Sequence, residues 1–587
     1  MKKISRRQFV QLSTWGLGSV FVSSGTNGCA DYDPDPGLPG TFEHGVASGD
    51  PLTDRVILWT RVTPDPAALL ATAEAGTDAV IKVSWEVASD PGFANVVVRD
   101  QGETNARRDF TIKVDAIGLS PGTVYYFRFF TSGLSSVVGK TKTLPVGPVA
   151  QVKLLVLSCS NYPAGYFHAY AEAAKLTDLD AAVHLGDYIY EYGLGGYASE
   201  MAAALGREVS PPGELLTLAD YRARYGQYRQ DPSLQELHRM VPFIVVWDDH
   251  EVANNSWKDG AENHTPATEG PYPQRVMAAL QAYAEWLPIR PAVDQNLTLL
   301  RRNFVFGDLV NLSMLDTRLT GRDQQLLLGS YLRPDGSFDT ARYTADVGVP
   351  GRTLLGEQQA AWLTEQFSVA ATWQVLGQQV LIGKMDLPGA LSTQQLGLVP
   401  YGQLVVLAML AKNDPQSLTP EQQQQLATQG HLLDLPRLPY NLDAWDGYPA
   451  ERARILKAAV DLKKNLVVLA GDTHNAWANN LVLEGEAPVA AGVEFATPAI
   501  TSPGFETYLN LTTAADVSLA ETAAAGQLIP NLRYANLSDR GFMTVTFTAQ
   551  EAIAEYTFVS SVKAPTYTVL TERTKRLTTV VGTNRFA

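Results

Sequence analysis

Along this chain, short apolar runs of strand length repeatedly give way to side chains able to bind metal ions. Val152-Lys-Leu-Leu-Val-Leu157 leads into Ser158-Cys159-Ser160. Ala181-Ala-Val-His-Leu185 breaks at Gly186 into Asp187, Tyr188 and Tyr190. Val241-Pro-Phe-Ile-Val-Val246 runs into Trp247-Asp248-Asp249-His250-Glu251, with Asn254-Asn255 just beyond, and Asn465-Leu-Val-Val-Leu-Ala470 into Gly471-Asp472-Thr473-His474. Apolar runs bounded by turn residues predict buried parallel strands. Polar groups just past the C-terminal ends of such strands collect along one sheet edge, where α/β proteins place their sites.

Between these strands the pattern shifts to helical spacing. Helices are predicted over 164–175, over 218–230 with Thr217 as N-cap, over 274–287 and over 356–370; Pro232 should interrupt the second. Leu309–Leu315 and Trp373–Ile382 read as further strands, the first leading into Asp316-Thr317-Arg318. Before Val146 the text is all β. Leu119-Ser-Pro-Gly-Thr-Val-Tyr-Tyr-Phe-Arg128 resembles the corner of a fibronectin type III sandwich, with Tyr125 as its corner tyrosine and Trp85 in its core. This gives an N-terminal β-sandwich over 41–147, an α/β catalytic unit over 148–560 and a tail over 561–587. A solvated helical insertion is expected near 385–442, with a lid as the competing reading.

Length and composition sharpen this picture. The chain has 587 residues, 45% apolar and 18% charged, with a formal charge of −15. A nucleic-acid partner bound on a broad basic surface is therefore not expected, except as substrate. Ser5-Arg6-Arg7-Gln8-Phe9 followed by an apolar stretch predicts a twin-arginine leader over 1–30, joined by a Pro-rich linker over 31–40. That implies passage through the twin-arginine translocase to the periplasm or beyond. Membrane attachment would arise only if Cys29 were lipidated. Cys159 is then left without a partner, and position alone leaves a buried core cysteine and a metal thiolate both open.

The candidate ligands sort by chemistry. Cys159, Asp187, Tyr190 and His474 offer thiolate, carboxylate, phenolate and imidazole, a set suited to ferric iron rather than zinc. Asp249 and Asp472, with Asp187 again, offer only oxygen and suit calcium, magnesium or manganese. Asp187 is placed to bridge two ions, as in binuclear hydrolases whose bound hydroxide attacks phosphorus. His250, beside a ligand, is a candidate to stabilise the transition state or to protonate the leaving oxygen. His184, on an apolar strand, reads as a core histidine, and Tyr188 and Tyr192 as packing.

These motifs, together with His44–Pro51, Val56–Arg61, Asp316-Thr-Arg318, Asp443–Tyr448 and Phe495-Ala-Thr-Pro498, resemble those of the PhoD-type alkaline phosphatase/phosphodiesterase family of calcineurin-like metallophosphoesterases. The resemblance implies a metallophosphoesterase β-sandwich flanked by helices, and Fe3+ beside Ca2+. It implies Cys159, Asp187, Tyr190 and His474 as iron ligands, and Asp249 and Asp472, with Asn255 nearby, at the second ion. It also implies secreted hydrolysis of phosphate esters for phosphate scavenging, with Asp187 and His250 as the catalytic residues. A phospholipase D-like diesterase on the same site is the alternative within that chemistry. A non-catalytic, metal-stabilised surface binding protein is the alternative outside it.

Overall fold

The four strand ends converge from two sheets, not one. The structure is a computed structural model describing residues 38–74, 79–290 and 296–587; the expected leader and Cys29 lie outside the described residues. Val152–Leu157, Ala181–His184 and Phe243–Val245 pair in parallel within a nine-stranded sheet. Asn465–Ala470 belongs to a seven-stranded sheet, between Trp373–Gly377 and Val489–Ala496, again in parallel. Apolar periodicity marks a strand but carries no information on its partner, so the expectation of a single edge is corrected here.

The sheets face one another across a continuous core that includes Val156, Val183, Met543 and Val545 of the first, and Val375, Val467, Leu469 and Phe495 of the second. Each such buried side chain stabilises by about 1.5–3 kcal/mol relative to exposure. Helices Leu218–Arg229, Pro232–Met240 and Tyr272–Trp286 share the core of the nine-stranded sheet, while Gly356–Gln366, Pro449–Asp461 and Ala514–Ala524 cover the outer face of the seven-stranded one. The architecture is the helix-flanked metallophosphoesterase sandwich expected. Thr217 caps its helix reciprocally with Asp220, and Asp231-Pro232 starts the next helix, where the Asp231 carboxylate accepts the Ser233 and Leu234 amides. The predicted strand over 373–382 stops at Gly377. Beyond it the buried Gln379 spends its side chain on Thr317 and the Trp247 carbonyl.

The N-terminal sandwich packs Val80–Ala88, Val96–Asn105, Val124–Thr131 and Gly139–Lys142 against Val46–Gly49, Arg55–Arg61 and Thr111–Ile117. Tyr125 Oη accepts the Ser120 amide at 2.9 Å, the corner bond read from the sequence, and Trp85 is buried. The second of these sheets continues into the nine-stranded one through Gly49 opposite Phe243. Its opposite faces therefore serve two cores, with Val46 and Leu58 on one side and Ala47 and Trp59 on the other. The C-terminal stretch read as a tail adds an edge strand, Lys575–Val580, beside Glu551–Val559. The insertion is a stalk, Asp386–Pro388 paired with Arg437–Pro439, carrying helices Leu398–Asn413 and Pro420–Gln429. No described helix is long and apolar enough to cross a membrane.

Candidate metal centre

The backbone turns sharply where the strands stop. Cys159, Asp187, Asp472 and His474 have φ of 61°, 54°, 62° and 62°, left-handed values that cost an L-residue about 1–2 kcal/mol each. Gly186, at φ 97°, is obligatory: a Cβ there would lie 2.4 Å from the Asp248 amide nitrogen. At Gly471 a Cβ would meet Ser158 Oγ at the same 2.4 Å, so the two sheet ends approach too closely there for any side chain.

Hydrogen bonds between the loops hold these turns. The Cys159 and Ser160 amides donate to the Gly186 and Asp187 carbonyls at 3.3 and 2.9 Å. Glu251 accepts the amides of Asp187 (3.1 Å), Tyr188 (2.5 Å) and Asp248 (2.7 Å), tying two strand ends together. Burial, with Asp187 close by, pushes its pKa up to about 8 against the pull of those amides.

Among the described residues three groups of candidate ligands result, each with its ligand atoms within 4.8 Å of one another: Cys159, Asp187 and His474; Asp187, Asp249 and His250; Asp248, Asp249 and Asp472. Asp187 is common to the first two and Asp249 to the last two. Tyr190 joins the first group, its Oη donating to Asp187 Oδ2 at 2.9 Å and lying 3.4 Å from His474 Nε2. His474 Nδ1 is 2.8 Å from the Pro503 carbonyl, which can only accept. Nδ1 therefore carries the proton and Nε2 offers its lone pair to the group.

The donors fit cations. Asp187 Oδ1, Asp248 Oδ2 and Asp249 Oδ1 are buried without a hydrogen-bond partner, a costly state for carboxylates unless a positive charge is bound. Burial, then Asp187, pushes the Cys159 thiol and the Tyr190 phenol well above their ordinary values; a bound ion reverses that sign and ionises both. Burial also lifts Asp248 well above the carboxylate range and Asp472 to about 7, against the opposing charge of Arg318. Asp249 goes the other way: burial opposes its charge, but Arg318 and His250 outweigh burial and lower its pKa.

Arg318, fully buried, is the fixed cation of the site. It donates to Asp248 (2.5 Å), Asp443 (2.6 Å) and Asp472 (2.9 Å) and approaches Asp249 at 3.7 Å. His250 stacks on the Tyr190 ring at 4.2 Å and 27°, and its Nδ1 pairs with Glu191 Oε2 at 2.8 Å. Burial disfavours the imidazolium, but Asp249, Glu191 and Asp187 overcome it and raise the His250 pKa well above 6.5. Asn255 turns its side chain to Glu262, and it is its backbone amide that holds Asp249 Oδ2, at 2.6 Å. His184 and Tyr188 make core hydrogen bonds to Tyr170 (2.8 Å) and His238 (2.9 Å).

The sequence reading missed Glu191, Asp248, Glu251, Arg318 and Asp443 as members of the site. The signal was partly present. Asp248 and Glu251 flank two candidates inside Trp247–Val252, Glu191 follows Tyr190, and Arg318 closes the Asp316-Thr-Arg motif.

The profile of the PhoD-like phosphatases matches residues 154–556, and that of the PhoD-like phosphatase N-terminal domain residues 29–145. Alkaline phosphatase D of Bacillus subtilis (strain 168) is 33% identical over 573 residues, which span 95% of this chain and 85% of that protein. A solved structure described as "Structure of PhoD" matches with a TM-score of 0.71 at 31% identity, over 96% of this chain and 93% of the other.

Proposed function

The chain belongs to the PhoD-like phosphatase family and is a phosphoester hydrolase, and on that premise we propose that it cleaves phosphomonoesters and phosphodiesters at a centre of ferric iron beside calcium. The observation that supports this most directly is the sharing of Asp187 between the Cys159/His474 group and the Asp249/His250 group. Thiol, phenol and imidazole donors from Cys159, Tyr190 and His474 suit ferric iron, and the carboxylates of Asp249 and Asp472 suit calcium. When bound, such a pair supplies Lewis acidity and lowers the pKa of water.

The protein's own groups do the rest. Glu191 engages His250 Nδ1, so Nε2 is the nitrogen left to protonate the departing alkoxide. Stacking on Tyr190 fixes the plane of the imidazole. Arg318 spaces the aspartates and offsets their charge, so the carboxylates are positioned before substrate arrives. The Arg6-Arg7 leader motif supports export by the twin-arginine route and a role in phosphate scavenging in the periplasm or outside the cell.

The test is Asp187→Asn. It should lose nearly all hydrolysis of an aryl phosphate and bind less of both metals by elemental analysis. An active variant, or one that loses a single metal, would remove the bridging role.

A further inference from the structure

Tyr190, Tyr192 and Tyr197 follow one another along the loop past the second strand end, but their rings are used differently. Tyr190 is stacked with His250 at 4.2 Å and with Tyr197 at 6.2 Å and 24°. The Tyr197 hydroxyl is held by His474 Nδ1 and by Tyr508 Oη, each at 3.2 Å. Tyr192 is only half-buried and meets His250 at 5.4 Å and 54°, and Tyr197 at 6.0 Å and 50°. Both contacts are tilted, so among the described residues no ring stacks on the face of Tyr192. Leu194, two residues on in the chain, is 52% exposed, and Tyr508, bonded to Tyr197, is 64% exposed; neither carries charge.

If His250 protonates the leaving oxygen, the departing alcohol lies on the His250 side of the metal groups, which is where Tyr192 stands. We propose that Tyr192 is a specificity-determining platform on which a flat, uncharged ring of the substrate alcohol stacks, as in a nucleoside monophosphate. This rests on the hydrolase reading above. It adds to that reading a preference for alcohols bearing an aromatic base over otherwise identical alcohols without one. A half-exposed aromatic ring beside the reacting groups is the element such recognition requires, and an offset-stacked pair gives roughly 3- to 10-fold discrimination.

The experiment compares kcat/KM of the metal-loaded full chain for adenosine 5′-monophosphate and ribose 5-phosphate. The two share the same primary leaving oxygen and differ in the base. The wild type should favour the nucleotide roughly 3- to 10-fold. Tyr192→Phe should keep that ratio and Tyr192→Leu should bring it close to one. Equal turnover of the two by the wild type, an unchanged ratio in Tyr192→Leu, or a ratio lost already in Tyr192→Phe would each overturn the platform. The first two would leave the hydrolase reading standing, and the third would move the recognition to the hydroxyl. Failure of the metal-loaded wild type on these esters and on an aryl phosphate alike would overturn both readings.

Discussion

Replacing Glu191 by Gln removes a charge from behind His250 while keeping the volume of the side chain. Glu191 is fully buried, and its carboxylate is shared by three donors: the Asn254 amide at 2.7 Å, the Asn263 side chain at 3.1 Å and His250 Nδ1 at 2.8 Å. A glutamine has one acceptor oxygen for these three donors and turns an N–H toward one of them. The lost charge-assisted bond amounts to about 1.5–3 kcal/mol, or roughly a 10- to 150-fold fall in turnover if it is felt wholly in the transition state. The effect should depend on the leaving group. A 4-nitrophenyl ester departs without needing a proton, whereas an alkyl ester needs one, so Glu191→Gln should lower kcat far more for the alkyl ester. Metal content, measured on the same samples, should remain that of the wild type. Equal losses on the two esters, or loss of metal in step with activity, would mean that Glu191 supports the site as a whole and not the proton on His250.

Tyr190→Phe removes the phenol from the Cys159/Asp187/His474 group and should abolish the visible charge-transfer band of the iron-loaded protein; a band that survives would take Tyr190 out of the ligand set. Opposite Val468 in the seven-stranded sheet, Glu494 accepts the Ile382 and Gly383 amides at 2.6 and 2.9 Å, yet burial pushes its pKa from 4.5 up to about 7. A carboxyl raised on folding contributes stability that is complete below its unfolded value and lost as pH rises through its folded one. The unfolding free energy from denaturant titrations should therefore lose on the order of 3 kcal/mol from this group between pH 4.5 and 7, and Glu494→Gln should flatten that slope; an identical slope in the variant would rule Glu494 out as a source.

The parts of the site legible in the sequence are those whose information is local. An apolar run that stops at Gly186-Asp187 or Gly471-Asp472 announces both a strand and a group at its end, because burial and the turn are encoded by neighbouring residues. Arg318 could not be read that way. Its partners Asp248, Asp443 and Asp472 are far from it in the chain, and an arginine after a strand is ordinarily a solvated residue. Glu251 posed the same difficulty, since its value lies in three amides from two loops. The shared sheet was hidden for a related reason: Val46–Gly49 and Arg55–Arg61 alternate as any sandwich strand does, and only the pairing of Gly49 with Phe243 gives their second face a core to join.

Backbone strain links these local and non-local parts. A strand running straight on at Cys159, Asp187, Asp472 or His474 would keep its alternating side chains above and below the sheet. A left-handed residue breaks the alternation, and these four belong to the groups in which ligand atoms converge. Four such residues cost several kcal/mol at about 1–2 kcal/mol each, and no periodicity in the strands compensates for them. What offsets the strain is supplied from outside each turn: Gly186 making room for Asp248, the Cys159 and Ser160 amides reaching the next loop, Glu251 gathering three amides, and Arg318 neutralising the aspartates. The orphaned oxygens of Asp187, Asp248 and Asp249 are the remainder that these contacts leave. Bound cations are the partners that would satisfy them, so the same residues that strain the fold without metal would hold it most firmly with metal.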